Sequence, residues 1–220
     1  MQLAYDGENI KARSLEKLQK TLRQGEGLTL EFKFKAKYPD KIIKEMVAFA
    51  NTTGGQLIVG VNDDGSLAGL NFADEEEFVL VREIERGISP KLDYAIERIK
   101  IPSAKEVLVF HIPESNQKPH KTNIEGKVYV RHKDKTIQAS KEIREILKGL
   151  NKGKSLRFNY GDKERILMSY LIENKSITLS KFCEMASINK KIASRTLVLM
   201  VLTNVLQYQA RDGEDIYYPV

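Results

Sequence analysis

The stretch that most constrains this chain runs from Pro39 to Gly65, "PDKIIKEMVAFANTTGGQLIVGVNDDG". Ile42, Ile43, Met46, Val47, Phe49 and Ala50 follow the spacing of one helical face. Pro39 suits the first turn of that helix, where its missing N–H would have no partner anyway. After Gly54-Gly55 the aliphatic run "QLIVGV" reads as a short strand, and "NDDG" as a turn. The order is therefore helix, glycines, strand. A phosphate-cradling loop needs strand, glycines, helix, because only a helix N-terminus offers free N–H groups and a positive dipole end. Here the glycines fall at a helix C-terminus, where a left-handed residue closes the last turn. The sequence predicts a cap and a tight turn at this place, and no ATP site. A second glycine stretch, "GLNKGKS" at Gly149, is one residue short of a Walker A spacing and follows a helix.

The flanking segments extend the pattern. "SLEKLQKTLRQGE" reads as a helix with Ser14 as cap and Gly25 as stop. "LTLEFKFK" alternates, with Leu28, Leu30, Phe32 and Phe34 on one face and Thr29, Glu31, Lys33 and Lys35 on the other. "DEEEFVLVREIERGI" is a helix with acids in its first turn. Strands follow at "YAIERIKI", "KEVLVFHIP", "GKVYVRHK" and the short "TIQA", and "SKEIREILKGL" closes the region as a helix. This is an α+β domain with a mixed sheet over residues 1–150. A polar linker, "NKGKSLRFNYG", covers 151–161. Residues 162–220 read as three helices and a hairpin turning at Asp212-Gly213, the order of a small winged-helix domain.

Composition narrows the function classes. The single cysteine, Cys183, rules out a disulfide framework or a cysteine-based zinc site, and it falls in the apolar pattern of a helix. His111, His120 and His132 are too scattered for a helical ligand pair. No apolar run approaches transmembrane length and the N-terminus lacks an apolar targeting core, so a cytoplasmic protein without a membrane partner is expected. The net charge of +6 permits a polyanionic partner. It is unevenly spread: residues 118–157 carry twelve Lys/Arg against four Asp/Glu, whereas from Asp162 onward eight face seven.

Three sets of candidate residues follow. Lys118, Lys121, Lys127, Arg131 and Lys133 cluster along one hairpin, and in "KVYVRHK" the residues Lys127, Tyr129 and Arg131 alternate with valines. That face offers phosphate contacts and an aromatic for stacking, or is a solvated strand face. In the C-terminal domain "NKKIASRTLVLM" reads as a recognition helix capped by Asn189. Lys190, Lys191, Ser194 and Arg195 would face a nucleic-acid groove, Ile192, Leu197, Leu199 and Met200 would pack inward, and Arg211 would sit at the wing tip. The same module also serves as a dimerisation or docking surface. Finally, Glu26, Glu31 and Asp63 would converge, with Lys33, if their two strands are neighbours. Such carboxylates suit Mg²⁺ or Mn²⁺ and metal-assisted phosphodiester cleavage. The alternative is a solvated strand face and a turn.

Several of these residues carry a family resemblance. "LEFKFK", "MVAFANTTGGQLIVGVNDDG" and "KPHKTNIEGKVYVRHKDKTIQAS" resemble the Schlafen AlbA-type domain over roughly residues 14 to 148. The resemblance implies a nucleic-acid-binding protein, and among prokaryotic members a DNA-binding transcriptional regulator with a winged helix behind. Vertebrate relatives include endoribonucleases with a carboxylate triad, whose motif is matched here by Glu26, by Glu31 in "EFK" and by Asp63 in "GVND", with Gly27 where a serine commonly follows the first Glu. Those nucleases build a groove from two lobes, and a homodimer could supply the second. The expected function is nucleic-acid binding, DNA or RNA, with no cofactor required. The alternatives are a Mg²⁺- or Mn²⁺-dependent endoribonuclease and a protein-interaction adaptor.

Overall fold

A computed structural model describes residues 13–151 and 159–220. The chain divides into two compact units: the first runs through Ser115 and takes in His120–Thr136, and the second comprises Asn116–Pro119 and Ile137–Val220.

The first unit opens with helix α1, covering 13–22. Strand β1 (Leu30–Lys33), helix α2 (Pro39–Asn51) and strand β2 (Gly55–Val59) follow. The helical crossover makes β1 and β2 parallel, in register from Leu30↔Gln56 to Lys33↔Val59. Helix α3 (Ala73–Gly87) leads through the two-residue β3 (Ile88–Ser89) into β4 (Ala95–Lys100) and β5 (Glu106–Ile112). Strand β5 lies antiparallel to both β2 and β4, so the sheet is mixed, with order β1-β2-β5-β4. The short β6 (Lys121–Thr122) pairs with β3, and β7 (Tyr129–His132) pairs with β8 (Lys135–Gln138). The α+β class with a mixed sheet is as the sequence pattern predicts.

Both faces of the sheet are covered. Leu57, Val59, Leu108, Phe110 and Ile112 pack on Met46, Val47 and Phe49 of α2 and on Leu80 and Ile84 of α3. The alternate residues Phe32, Ile58, Ile99, Val107 and Val109 pack on Leu18 and Leu22 of α1. Each fully buried aliphatic or aromatic chain contributes about 1.5–3 kcal/mol. Strand β1 is shorter than its alternation suggests, and Leu28 and Phe34 are exposed. As an edge strand it is closed by its own chain: the Gly27 N–H donates to Leu30 O at 2.9 Å, and Glu26 Oε1 accepts from the Phe32 N–H at 2.8 Å.

The two glycines after α2 have steric reasons to be there. Gly54 has φ +74°, and its N–H closes the helix on Phe49 O at 2.9 Å. A Cβ on Gly54 would lie 2.7 Å from both Ile112 O and Glu114 N, and one on Gly55 would lie 2.4 Å from the Phe49 ring. The glycines therefore reverse the chain at a helix C-terminus and let α2 and β2 approach closely.

In the second unit α4 (Lys141–Leu150) is capped by Ser140, whose side chain accepts from the Ile143 N–H. Helix α5 (Asp162–Asn174), β9 (Ile177–Thr178), α6 (Leu179–Ala186), α7 (Lys190–Leu202), β10 (Leu206–Gln209) and β11 (Ile216–Pro219) follow. The strands form an antiparallel sheet of order β10-β11-β9. Strand β9 has too few residues to announce itself by alternation. The core gathers Leu167, Leu171, Phe182, Leu197, Met200 and Tyr217, with Cys183 packed at its margin. Ile146 of α4 lies in this same core, so α4, expected to close the first domain, groups with the second unit, whose long segment runs from Ile137. Most of the expected linker, residues 152–158, lies outside the described residues. Among the described residues no helix is long and apolar enough to cross a membrane.

Gly54 can be compared with Gly126, which has φ +64° and would place a Cβ in open space, with no heavy atom within 4 Å. Gly54→Ala should cost clearly more than about 1 kcal/mol, and Gly126→Ala only about that much, because only the first adds collision with backbone to left-handed strain. Urea unfolding of the two variants measures the difference.

Candidate functional site

Strand β7 packs against α2, and this decides the fate of its side chains. Arg131 is only 3% exposed. Its Nη1 donates to Glu31 Oε2 at 3.0 Å, Glu45 Oε2 at 2.8 Å and Thr136 Oγ1 at 3.0 Å. Its Nη2 donates to Gly27 O at 2.6 Å. The guanidinium carbon stands 4.8 Å from the centre of the Phe49 ring. Thr136 also bonds Glu45 through a short contact, and Thr52 Oγ1 accepts the Arg131 N–H at 3.0 Å. A guanidinium loses several kcal/mol of hydration on burial, and here two carboxylates and two further oxygens replace that water. Arg131 is thus a structural pin, which corrects its expected role as a phosphate contact.

The residues that complete the network, Glu45 and Thr136, do not stand out in the sequence as site residues. Glu45 lies at the edge of the apolar stripe of α2, one turn from Ile42 and Phe49, where a solvated acid is equally at home. Burial raises its pKa and the charge of Glu31 raises it further, against the opposing pull of Thr136 and Arg131.

Tyr129 is also buried, and its hydroxyl donates to Glu125 Oε2 at 2.6 Å. Glu125 collects Lys44 at 2.7 Å and Lys127 at 3.3 Å as well. Its pKa is pushed down to about 2, chiefly by the hydrogen bonds from Lys44 and Tyr129. Tyr129 cannot stack on a base from there, and Lys127 is partly neutralised. Lys118, in the second unit, is buried too, so its expected phosphate contact is likewise corrected. Lys121, Lys133 and Lys135 remain exposed, with Lys133 at φ +53° in the β7–β8 turn.

The acidic candidates occupy a corner beside this network. Glu31 is 6% exposed, so the polar side of β1 is not a solvated face. Both its oxygens are committed: Oε1 to Lys33 through a short contact, Oε2 to Arg131. Glu26 stands at the strand's outer edge. Burial raises its pKa, the Phe32 N–H opposes this, Glu31 raises it again, Lys33 opposes and Asp63 adds a last upward push. Glu26, Glu31, Lys33 and Asp63 therefore share one electrostatic field. Among the described residues, however, no three His, Cys, Asp or Glu side chains form a group that could hold a metal ion, so the carboxylates as arranged do not fit one.

A concavity of about 700 Å³ opens at the start of β2, lined by Thr29, Thr53, Gly55, Gln56, Tyr94 and His111 among others. The His111 ring is held between Gln56 at 3.3 Å and Glu97 at 3.1 Å, which commits both of its nitrogens.

In the second unit Asn189 caps α7, its side chain accepting from the Ile192 N–H at 3.0 Å. Lys190, Lys191 and Arg195 are exposed. Two neighbours differ from expectation: Ser194 is buried and donates to Glu142 Oε1 at 2.6 Å, while Ile192 is 42% exposed. Helix α4 packs against α7 on the Ser194 side, so the small hydroxyl goes inward. Lys163, Lys191, Ile192, Arg195 and Leu199 line a groove of about 600 Å³. Arg211 is exposed in the β10–β11 connection, among Asp212, Glu214 and Asp215, and its N–H donates to Asp215 Oδ1 at 3.2 Å.

Residues 26–140, more than half of the 220, match the sequence profile described as Schlafen, AlbA_2, and the chain belongs to that family. Two solved structures are similar to it. The N-terminal domain of a RecG-related protein from Nitrosomonas europaea is 20% identical with a TM-score of 0.44, over 66% of this chain and 96% of that one. The DIP2311 protein from Corynebacterium diphtheriae is 19% identical with a TM-score of 0.40, over 58% of this chain and 25% of that one. No curated protein matches the chain.

If Arg131 is the pin described, Arg131→Ala should destabilise the first unit by about 3–5 kcal/mol, since it leaves the buried Glu31 facing the half-buried Glu45. Arg131→Lys should rescue little of this, because one ammonium cannot span the same acceptors. Chemical denaturation of the two variants checks both statements.

Proposed function

We propose that this chain is a nucleic-acid-binding protein, a DNA-binding transcriptional regulator whose α7 enters a duplex groove. The observation that carries this reading is the pair Lys191 and Arg195. They are one helical turn apart, exposed, and on the same groove. An α-helix fits the DNA major groove, and cations on its outer face gain affinity by releasing counterions from phosphates. Membership of the AlbA_2 family supports the same class of function. Within the second unit the run α5, β9, α6, α7 and the β10–β11 hairpin has the element order of a winged helix.

The Lys191→Ala/Arg195→Ala variant should weaken duplex binding. It should also reduce the slope of log affinity against log salt by about two, one for each lost phosphate contact. Fluorescence anisotropy over a salt series reads both, and sizing chromatography checks that the assembly state is unchanged. A slope identical to that of the parent chain removes α7 from the reading.

A further inference from the structure

Between β1 and α2 the chain reads "KFKAKYPDK", residues 33–41, four lysines and one acid around two aromatics. The loop has a definite inside and outside. Ala36 is buried in the core between the sheet and α2, and its N–H donates to Glu76 Oε2 at 2.6 Å. That single anchor turns the residues on either side outward: Phe34 is 48% exposed and Tyr38 52%. Pro39, at the first position of α2, keeps Tyr38 out of the helical region, at φ −129° and ψ 74°. Lys33 is committed to Glu31, but the other lysines attend the rings. Lys35 Nζ lies 5.4 Å from the centre of Phe34, and Lys37 and Lys41 lie 5.4 and 4.8 Å from that of Tyr38.

Exposing a ring forgoes the hydrophobic gain of burying it, so two exposed rings framed by cations need a reason. The same unit also exposes Phe72 and Phe78, but Phe72 precedes the acidic first turn of α3, with Asp74, Glu75 and Glu76, and Phe78 meets a single cation, Arg82 at 5.7 Å. Exposure alone is therefore not the signal; the chemistry around the rings is. An aromatic face beside several lysines matches a nucleotide chain, whose bases offer π-faces and whose backbone offers phosphates. A duplex keeps its base faces inside the stack and presents only phosphates and groove edges. Unpaired bases are what rings on an open loop can reach.

We propose that the 34–38 loop is a stacking platform for single-stranded nucleic acid. Phe34 and Tyr38 each take one base, and Lys35, Lys37 and Lys41 exchange their ring contacts for phosphates. The rings are four residues apart, a reach of up to about 13 Å in extended chain, which leaves room for nucleotide between them. The proposal rests on the nucleic-acid reading above but not on α7, and it names a strand class that α7 does not require.

The test uses the full chain and three labelled probes of roughly 12 nucleotides: a deoxythymidine strand, a uridine strand and a mixed-sequence duplex. Phe34→Ala/Tyr38→Ala should lower single-strand affinity by about 25-fold or more, at least about fivefold per ring, and change duplex affinity less than about twofold. The two single strands distinguish RNA from DNA, since a contact to the 2′-hydroxyl would favour uridine. The chain contains no tryptophan, so Phe34→Trp supplies a unique reporter, whose fluorescence a stacked base should quench. Unchanged single-strand affinity in the double variant, or an unquenched indole at saturating strand, overturns the platform while leaving the α7 reading standing. Failure of all three probes to bind the parent chain overturns both.

Discussion

A guanidinium taken out of water must be met by a nearly full set of acceptors, and this requirement organises the first unit. Arg131 on β7 gathers Glu31 from β1, Glu45 from α2, Thr136 from β8 and the carbonyl of Gly27 ahead of β1. Three segments distant in sequence, 27–31, the turn of α2 at Glu45 and 131–136, are thereby held to one point. Hydrophobic burial between α2 and the sheet is larger in total but non-directional; it would tolerate small slides of β7 along α2. The charged bonds do not, because each has a length and an angle to satisfy.

The same network fixes what the acidic corner can do. Glu31 is held on both oxygens, so it cannot swing freely toward a ligand. Glu26 keeps one oxygen on the edge of β1, and its raised affinity for a proton records its burial and the crowding of like charge around it. Lys33 joins this corner to the loop that follows, since its ammonium lies on Glu31 while its neighbours Phe34 and Lys35 face outward. Acid, cation and exposed ring therefore succeed one another along a single strand and loop.

Charge counted along the chain and charge available at the surface differ widely here. Residues 118–157 carry the largest excess of Lys and Arg, yet Arg131 is buried against acids, Lys127 leans on Glu125, and Lys118 is out of solvent. Lys121, Lys133 and Lys135 of that stretch stay exposed, as do Lys190, Lys191 and Arg195 of α7 and Lys35, Lys37 and Lys41 of the 33–41 loop. Affinity for a polyanion follows accessible cations, since only these release counterions from phosphates.

Periodicity, glycine placement and capping chemistry were legible in the sequence because each is local. The apolar stripe of α2, the apolar run of β5, the Asn189 cap and the helix-to-strand order around Gly54-Gly55 depend on residues within a turn or two of one another. Family membership was legible for a related reason, since its motif lies in that same contiguous block. The sequence alone could not say which polar faces would be wet. The side of β1 carrying Glu31 and the side of β7 carrying Arg131 look like solvated alternation, and each becomes dry only because the other is there, a hundred residues away. Ser194 turns inward because α4 brings Glu142 to it, and Phe34 and Tyr38 turn outward because Glu76 of α3 holds the N–H of Ala36 between them. Burial of a charge or exposure of a ring is a property of pairs of distant elements, and so only the tertiary structure decided it.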